Sequence, residues 1–329
     1  MVGFVAASSA HESMVNRDHR VTVVVTCYNR EKYVGAAIES VLASDFEDFE
    51  LLVLDDCSAD GSVDIARSYT RLDKRVRVVV NETNMGDYPN RNRALDYVKT
   101  AFLKYHDSDD LMYPHCLGTL VRLLGAETSA GFALTAGRQW SGGPCPMLMT
   151  PKAAYQREFL GEGMFYCGPS GALCRTSVLR DLGGFPNYGA ASDYLFWLRA
   201  CAVTNTLLVP ADLFWYRAHE GQEIRKPDAA RSYALAQAQA WKALFSPDCP
   251  LTGEELQRAR ARHLRGLLKA TLWDLREGRW PLIALRLRHA GLKLSHLLKY
   301  PPVVVMDPSA GSPRDSEGEF VVPDWLRKK

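Results

Sequence analysis

No run of eighteen or more apolar residues occurs in this 329-residue chain, so the sequence offers no membrane-spanning helix. Paired cysteines are missing as well. Residues 27, 57, 116, 145, 167, 174, 201 and 249 are cysteines that stand singly, with no C-x-x-C and no Cys/His ligand spacing. That excludes a disulfide framework and a structural zinc, and predicts reduced, buried thiols in a cytosolic protein. The opening "MVGFVAASSAHESMVNRDHR" has no basic leader ahead of its short apolar stretch and makes a poor secretory signal. G-x-G-x-x-G does not follow the first predicted strand, which removes the dinucleotide-binding dehydrogenases, and no internal repeat is present.

With 47% hydrophobic and 24% charged residues, the composition is that of a globular chain long enough for a substantial core and a second lobe. A net charge of +2 conceals an asymmetry: residues 257 to 300 carry 11 Lys/Arg against 2 Asp/Glu, whereas residues 1 to 256 carry 25 against 31. The two parts are expected to face different things.

The pattern of elements points to an α/β fold. "RVTVVVTCYN" (20–29) is a β-branched run, and "EKYVGAAIESVLAS" (31–44) follows with Val34, Ala37, Ile38, Val41 and Leu42 at helical spacing. A second strand ends in Asp55 and Asp56, "VDIARSYT" reads as a helix, and "VRVVVNETN" (76–84) reads as a third strand. This alternation predicts a parallel sheet covered on both faces. "NRNRALDYVKTA" (90–101) is expected to be a helix, "FLKYHD" (102–107) a strand, residues 113–127 a helix, and "GFALTAGRQW" a further strand. Between Ser141 and Met164, Gly, Pro and Met dominate, which suggests a long substrate-facing loop. Residues 165–220 carry another α/β stretch ending in the aromatic strand "LFWYRAH", the chain is helical from Lys226 almost to Tyr300, and "DPSAGSPRDSEGE" (307–319) reads as a flexible tail.

"KYHDSDDLMYP" (104–114) packs Asp107, Asp109 and Asp110 into four positions at the end of a predicted strand. Like charges this close raise one another's pKa, so the cluster calls for a cation or for full solvation. An EF-hand loop does not fit, because Leu111 and Met112 occupy positions that need an oxygen ligand and a glycine. Strand ends in an open parallel sheet are where ligands bind.

"VTVVVTCYNREKYVGAAIESVLAS", "LLVLDDCSADGS", "NMGDYPNRNRAL" and "HDSDDLMYP", taken in order, resemble the nucleotide-sugar motifs of the inverting family 2 glycosyltransferases of GT-A fold, over about residues 20 to 220. The resemblance implies a GT-A, Rossmann-like, mostly parallel sheet flanked by helices, with a C-terminal helical extension. It implies an N-terminal extension (1–19), a catalytic domain (20–225) with a donor part (20–112) and an acceptor part (113–225), a helical region (226–306) and a tail (307–329).

In that family, Asp107-Ser108-Asp109 would correspond to the D-x-D motif, with Asp107 and Asp109 holding Mn²⁺ or Mg²⁺ against the donor's phosphates; hard carboxylate oxygens suit those ions. Thr26, Tyr28, Asn29, Asp55 and Asp56 would hold the nucleoside, although "DDCSADGS" is also a good turn and helix cap. Asn84, Gly86, Arg91 and Asn92 would line the diphosphate-sugar side. In "GPSGALCRTSVLRDLGGFPNYGAASDYLFWLRA" (168–200), the family's acidic pair reads Ser192-Asp193, so the more usual Glu is missing and Asp193 alone stands for the general base; helix capping is the competing role. His219 in "WYRAHEGQ" would reach the metal or the diphosphate, or serve as an ordinary packed histidine.

The resemblance implies transfer from a nucleotide-diphosphate sugar, a UDP-sugar by family frequency, to a hydroxyl of a glycan or lipid-linked glycan acceptor in cell-surface polysaccharide biosynthesis. A non-catalytic nucleotide-sugar binding module and a lipid-phosphate sugar transferase are the alternatives. The basic helical region predicts an amphipathic helix with Arg258, Arg262, Arg265 and Lys269 on one side and Leu264, Leu267, Leu268 and Leu275 on the other. A second helix carries Arg286, Arg288, Lys293 and Lys299, with Trp273, Trp280 and Tyr300 near the ends. This suits peripheral contact with an anionic cytoplasmic leaflet, while no nucleic-acid recognition motif accompanies the charge.

Overall fold

A computed structural model describes residues 20–136, 144–300 and 319–320 of the chain. Its first half is built on β1 (Val21–Cys27), α1 (Val34–Leu42), β2 (Phe49–Asp55), α2 (Ser62–Thr70), β3 (Val76–Val80), α3 (Asp87–Arg93) and β4 (Phe102–Asp107). Then come β5 (Leu111–Met112), α4 (Cys116–Ala126), β6 (Ala130–Thr135), β7 (Met147–Met149), α5 (Pro151–Leu160), β8 (Ala172–Arg175), α6 (Thr176–Asp181), α7 (Ser192–Val203), β9 (Asn205–Val209) and β10 (Phe214–Trp215). Helices α8 (Ala229–Ala243), α9 (Gly253–Arg276), α10 (Trp280–Ala290) and α11 (Leu294–Lys299) follow, and β11 (Glu319–Phe320) closes the list of elements.

One mixed sheet has the order β11-β7-β9-β6-β8-β4-β1-β2-β3, and β5 pairs separately with β10. β1 lies parallel between β2 and β4, in register Thr26 with Leu54 and with Asp107. β8 runs antiparallel to both β4 and β6, so the parallel half of the sheet ends at β4. Every residue of β1 is buried, as a strand with a neighbour on each side and helices on each face requires. Alternate residues feed two cores. Val24, Leu52 and Leu54 pack toward Phe132, Phe196 and Trp197, while Val23, Val25, Leu51 and Val53 pack toward α1 and α4. Each such side chain contributes roughly 1.5–3 kcal/mol when fully buried.

In the C-terminal helices, Trp241 of α8 packs with Leu264 and Leu267 of α9, Ala290 and Tyr300. Asp274 and Arg286 form a buried ion pair there, Arg286 Nη1 to Asp274 Oδ2 at 2.6 Å. No helix among the described residues is long and apolar enough to cross a membrane.

Several expectations need correction. The segment 144–164 is not a long loop: β7 adds to the sheet edge and α5 follows, its Thr150 side chain capping the Ala153 N–H with Pro151 at the first helical position. Low apolar periodicity hid a helix whose buried face is built from Ala153, Ala154, Tyr155 and Phe159. The helix expected over 90–101 begins at Asp87 and gives way to a 3-10 turn at Ala94–Asp96. Gly86 has φ +91, which suits glycine, and Pro89 sits in the first turn, where no intrahelical N–H is needed. Five of the cysteines are buried, but Cys57 is exposed and Cys145 and Cys249 are half-buried; all eight are free. Arg286 and Tyr300 are buried, and Leu275 is exposed. Residues 1–19 and most of the 307–329 tail lie outside the described residues, while Glu319 and Phe320 pair antiparallel with β7.

Candidate functional site

The C-terminal ends of β1, β2 and β4, the N-terminal turns of α3 and α7 and the segment 214–226 surround a cleft of about 700 Å³. Of the residues singled out in the sequence, Thr26, Tyr28, Asn29, Asp56, Asn84, Gly86, Arg91, Asp107, Ser108, Asp109 and Asp193 line it. Seven carboxylates (Asp56, Asp87, Asp107, Asp109, Asp110, Asp193 and Glu223) face three cations, Arg30, Arg91 and Lys226. An anionic ligand needs more positive charge than that to enter.

Arg91 is the hub. Its guanidinium is buried, with Nη2 at 2.5 Å from Asp107 Oδ1 and Nε 3.0 Å from Asp87 Oδ1. Burial alone would raise the Asp107 carboxyl, but the Arg91 charge and hydrogen bond outweigh it and hold the group below its usual range. Asp87 is pushed up, because burial outweighs its contact with Arg91. The Asp107 N–H donates to Ser170 Oγ at 2.9 Å, fixing the end of β4 against the turn before β8.

Asp109 is held from behind. Arg30 Nε lies 3.2 Å and His219 Nε2 2.8 Å from Asp109 Oδ2. His219 Nδ1 accepts the Gly221 N–H at 3.2 Å, so Nε2 carries the proton and donates it to Asp109. His219 therefore positions Asp109 and does not open onto the cleft. The metal role implied for it would require giving up that proton. Asp109 Oδ1 has no hydrogen-bond partner among the described residues, while the Asp107 carboxylate is also stabilised by the Ser170 hydroxyl. Asp110 is buried, accepts the Arg217 N–H at 3.1 Å through Oδ1, and leaves Oδ2 unpartnered. Burial, then the Asp107 charge, pushes its carboxyl up to about 8. This protonation answers part of the repulsion that the clustered acids create.

Asp56 spends its carboxylate internally. Oδ1 accepts from Asn81 Nδ2 and the Met85 N–H at 2.8 and 2.9 Å, and Oδ2 accepts the Gly86 N–H at 2.8 Å. Asp56 thus shapes the 81–86 loop, and Asn84 Nδ2 returns a bond to its carbonyl at 3.2 Å. Asp55 does not line the cleft: its two oxygens accept from Ser58 N–H and Oγ, the turn-capping role. Asn92 also points elsewhere, exchanging bonds of 2.8 Å with the Phe185 carbonyl and N–H. A Cβ on Gly184 would lie 2.4 Å from Asn92 Oδ1, which accounts for the glycine there. Asn29 adopts φ +51 and accepts the Ala59 N–H at 2.9 Å, tying the ends of β1 and β2 together. Tyr28 is 45% exposed over the opening.

Asp193 opens α7 across the cleft. Ser192 is buried, accepts the Tyr188 N–H and donates to the Gly189 carbonyl, so the loop-closing role falls to the serine. Asp193 Oδ1 accepts the Tyr194 N–H at 2.6 Å. Burial pushes its carboxyl up to about 7, with the Arg91 charge opposing and the Asp107 and Asp87 charges adding. A carboxylate poised near neutrality is suited to take a proton.

Comparison with known proteins decides the family. Residues 22–183 match the model described as Glycosyl transferase family 2. The chain belongs to glycosyl transferase family 2. Within that family it is similar to the putative teichuronic acid biosynthesis glycosyltransferase TuaG of Bacillus subtilis, 36% identical over 97 residues, which is 30% of this chain and 38% of TuaG. The matches span about a third of the length of the curated relatives. The fold is that of S. aureus TarS 1–349 in complex with UDP-GlcNAc, with TM-score 0.61 and 20% identity, covering 86% of this chain and 82% of that one. It is also that of the mannosyltransferase PcManGT from Pyrobaculum calidifontis in complex with GDP-Man and Mn²⁺, with TM-score 0.56 and 17% identity over 86% and 83% of the two chains. The architecture of this family 2 member is therefore GT-A, with helices added at the C-terminal side.

Sequence reasoning missed Arg30, Asp87, Tyr88 and Arg217. Arg30 follows Asn29 directly, but its partner Asp109 is 79 residues away, so only the fold reveals the pair. Arg217 donates to the Asp109 carbonyl at 2.8 Å and stacks over Trp215 and Tyr33, 4.9 and 5.2 Å from their ring centres. Tyr88 accepts the Asp193 N–H at 3.3 Å and so joins α3 to α7.

Proposed function

We propose that this glycosyltransferase moves a sugar from a nucleotide-diphosphate donor, a UDP-sugar foremost, to a hydroxyl of a glycan or lipid-linked glycan, with inversion at the anomeric carbon. The observation that carries the reading is the pairing, in one cleft, of the acidic cluster at the end of β4 with a separate carboxyl group, Asp193, pushed up to about 7. The UDP-GlcNAc in the TarS complex supports a UDP donor, and the Mn²⁺ and GDP-Man in the PcManGT complex support a divalent ion while showing that this fold also accepts guanosine. The TuaG likeness supports a role in cell-surface polysaccharide biosynthesis.

The residues present fit a hard divalent cation, Mn²⁺ or Mg²⁺. Among the described residues no group of three or more His, Cys, Asp or Glu converges on a metal-binding point, but one or two carboxylates suffice when phosphates and water complete the shell. Asp107 and Asp109 would hold it, Asp109 through its unpartnered Oδ1. When bound, such an ion neutralises charge on a departing diphosphate. Arg91 faces the same charge and orients the donor. Tyr28 and Thr26 cover the nucleoside, in a loop frame set by Asn29, Asp55 and Asp56. Asp193 takes the acceptor hydroxyl's proton as that oxygen bonds to the anomeric carbon, and the electron pair of the breaking C–O bond leaves with the diphosphate. Residues 20–225 are read as the catalytic unit, with 226–306 as a helical region that reaches the cleft through Lys226 and Tyr233.

The test is a panel of nucleotide sugars incubated with the protein with and without Mn²⁺, reading nucleoside diphosphate release. Metal-dependent release from one donor class supports the reading. Absence of release and of binding across the panel would contradict it.

A further inference from the structure

The turn where α9 passes into α10 gathers apolar and basic side chains that the fold does not use. Leu272, Trp273 and Trp280 are 65%, 55% and 63% exposed. Gly278, at φ +67, makes the turn, and Pro281 starts α10. On α9, Lys269, Leu272, Trp273 and Arg276 fall at spacings of three and four and share the arc opposite the buried Leu264, Leu267 and Asp274. Lys269, Arg276 and Arg288 are exposed, and from 269 to 288 Glu277 is the one exposed carboxylate, because Asp274 is buried against Arg286 and Arg279.

Arg260 and Arg262 of this region work inward, whereas Arg258, Lys293 and Lys299 are exposed as well. Arg260 donates to the Leu244 carbonyl and sits 4.1 Å from the Phe245 ring centre, and Arg262 donates to the Leu160 and Gly161 carbonyls. At the tip, Arg276 lies beside the exposed Trp273, its guanidinium carbon 5.9 Å from the ring centre. A hollow of about 700 Å³ between α8 and the α9–α10 pair, lined by Lys269 and Trp273, shares Tyr233 with the catalytic cleft.

We propose that the α9–α10 tip docks the protein on an anionic lipid bilayer, with Trp273, Trp280 and Leu272 entering the interface and Lys269, Arg276 and Arg288 facing the headgroups. Charge complementarity selects this occupant: exposed indoles and an aliphatic chain on the same two helices as exposed Lys269, Arg276 and Arg288, with one exposed carboxylate between 269 and 288, match the apolar-to-anionic gradient of such a surface. The inference deepens the proposed function, from which it takes the lipid-linked acceptor. Because binding is read without turnover, its failure is separable from failure of that reading.

The experiment is flotation of the full chain with vesicles of phosphatidylcholine alone or mixed equally with phosphatidylglycerol, at low and high salt. Partition into the anionic vesicles should exceed that into neutral ones by at least about tenfold and fall with salt, since each cation near the surface is worth about fivefold. The Trp273→Ser/Trp280→Ser variant and, separately, the Lys269→Glu/Arg276→Glu/Arg288→Glu variant should each lose most of that partition, with nucleoside diphosphate release in solution unchanged. Equal flotation with both vesicle types, or variants that float like the parent, would overturn the proposal. So would a parent chain that is dimeric and a tryptophan variant that is monomeric, which would assign the tip to a second copy.

Discussion

Arg91 Nη2 stands 2.5 Å from Asp107 Oδ1, joining α3 to the end of β4 beneath the cleft, and the same guanidinium lies against Asp87. A planar fork can serve two carboxylates at once, and an ammonium cannot reproduce that geometry. Arg91→Lys should therefore keep the charge yet weaken donor binding by about tenfold or more. Titration calorimetry with a nucleotide sugar checks this; unchanged affinity would mean that the pair serves folding alone.

Metal removal should stop donor turnover, and Asp109→Ala should do the same in a folded protein, because both take away the charge that offsets the leaving diphosphate. Circular dichroism tests the fold, and nucleoside diphosphate release tests the activity. His219→Ala should give a milder loss, about tenfold, as expected of a residue that positions Asp109 through one hydrogen bond. Full turnover in EDTA would remove the metal from the account of the site.

Asp56 accepts from Asn81, Met85 and Gly86 while buried, so Asp56→Asn turns one acceptor oxygen into a donor facing other donors. The expected cost is about 2–3 kcal/mol, measured by urea unfolding. Asp55→Asn, whose partners are Ser58 N–H and Oγ, should cost about 1 kcal/mol, as loss of a turn cap does.

In the helical region, Arg286→Met leaves Asp274 buried with only the partly exposed Arg279 beside it. A loss of about 3–5 kcal/mol is expected, and the double variant Arg286→Met/Asp274→Leu should recover much of it. Thermal unfolding of the two variants separates a buried pair from a solvated charged face.

The β1-α1-β2-α2-β3 order and the acidic strand end at Asp107 were legible because strands buried on both faces read as continuous apolar runs. Segment 144–164 was not, since α5 buries alanines and Tyr155 with little apolar periodicity and Gly and Pro flank it. Cleft-lining residues at or just past strand ends, such as Thr26, Asp56 and Asp109, were visible from position. The separation of Asp55 from Asp56, and of Asn92 from Arg91, was not, because adjacent residues point in different directions, about 100° apart on helix α3, and only the packing partners, Ser58 and Phe185, decide which one lines the cleft. Long-range pairs such as Arg30 with Asp109 carry no local signal at all.

The most direct test of the central claim, that Asp193 is the base, is the pH dependence of nucleoside diphosphate release at saturating donor, with water as acceptor, for the parent chain and Asp193→Asn. A carboxyl raised to about 7 is protonated and inert below that pH, so the parent rate should climb through about pH 7. A raised carboxyl also favours folding at low pH and loses that contribution as pH rises through about 7, so Asp193→Asn should be no less heat-stable than the parent at pH 8. The expected result is a rate lower by roughly two to four orders of magnitude in Asp193→Asn, without the limb near pH 7 and with donor affinity retained. An unchanged rate per bound donor, or the same limb in the variant, would contradict the assignment and leave Asp193 as the cap of α7.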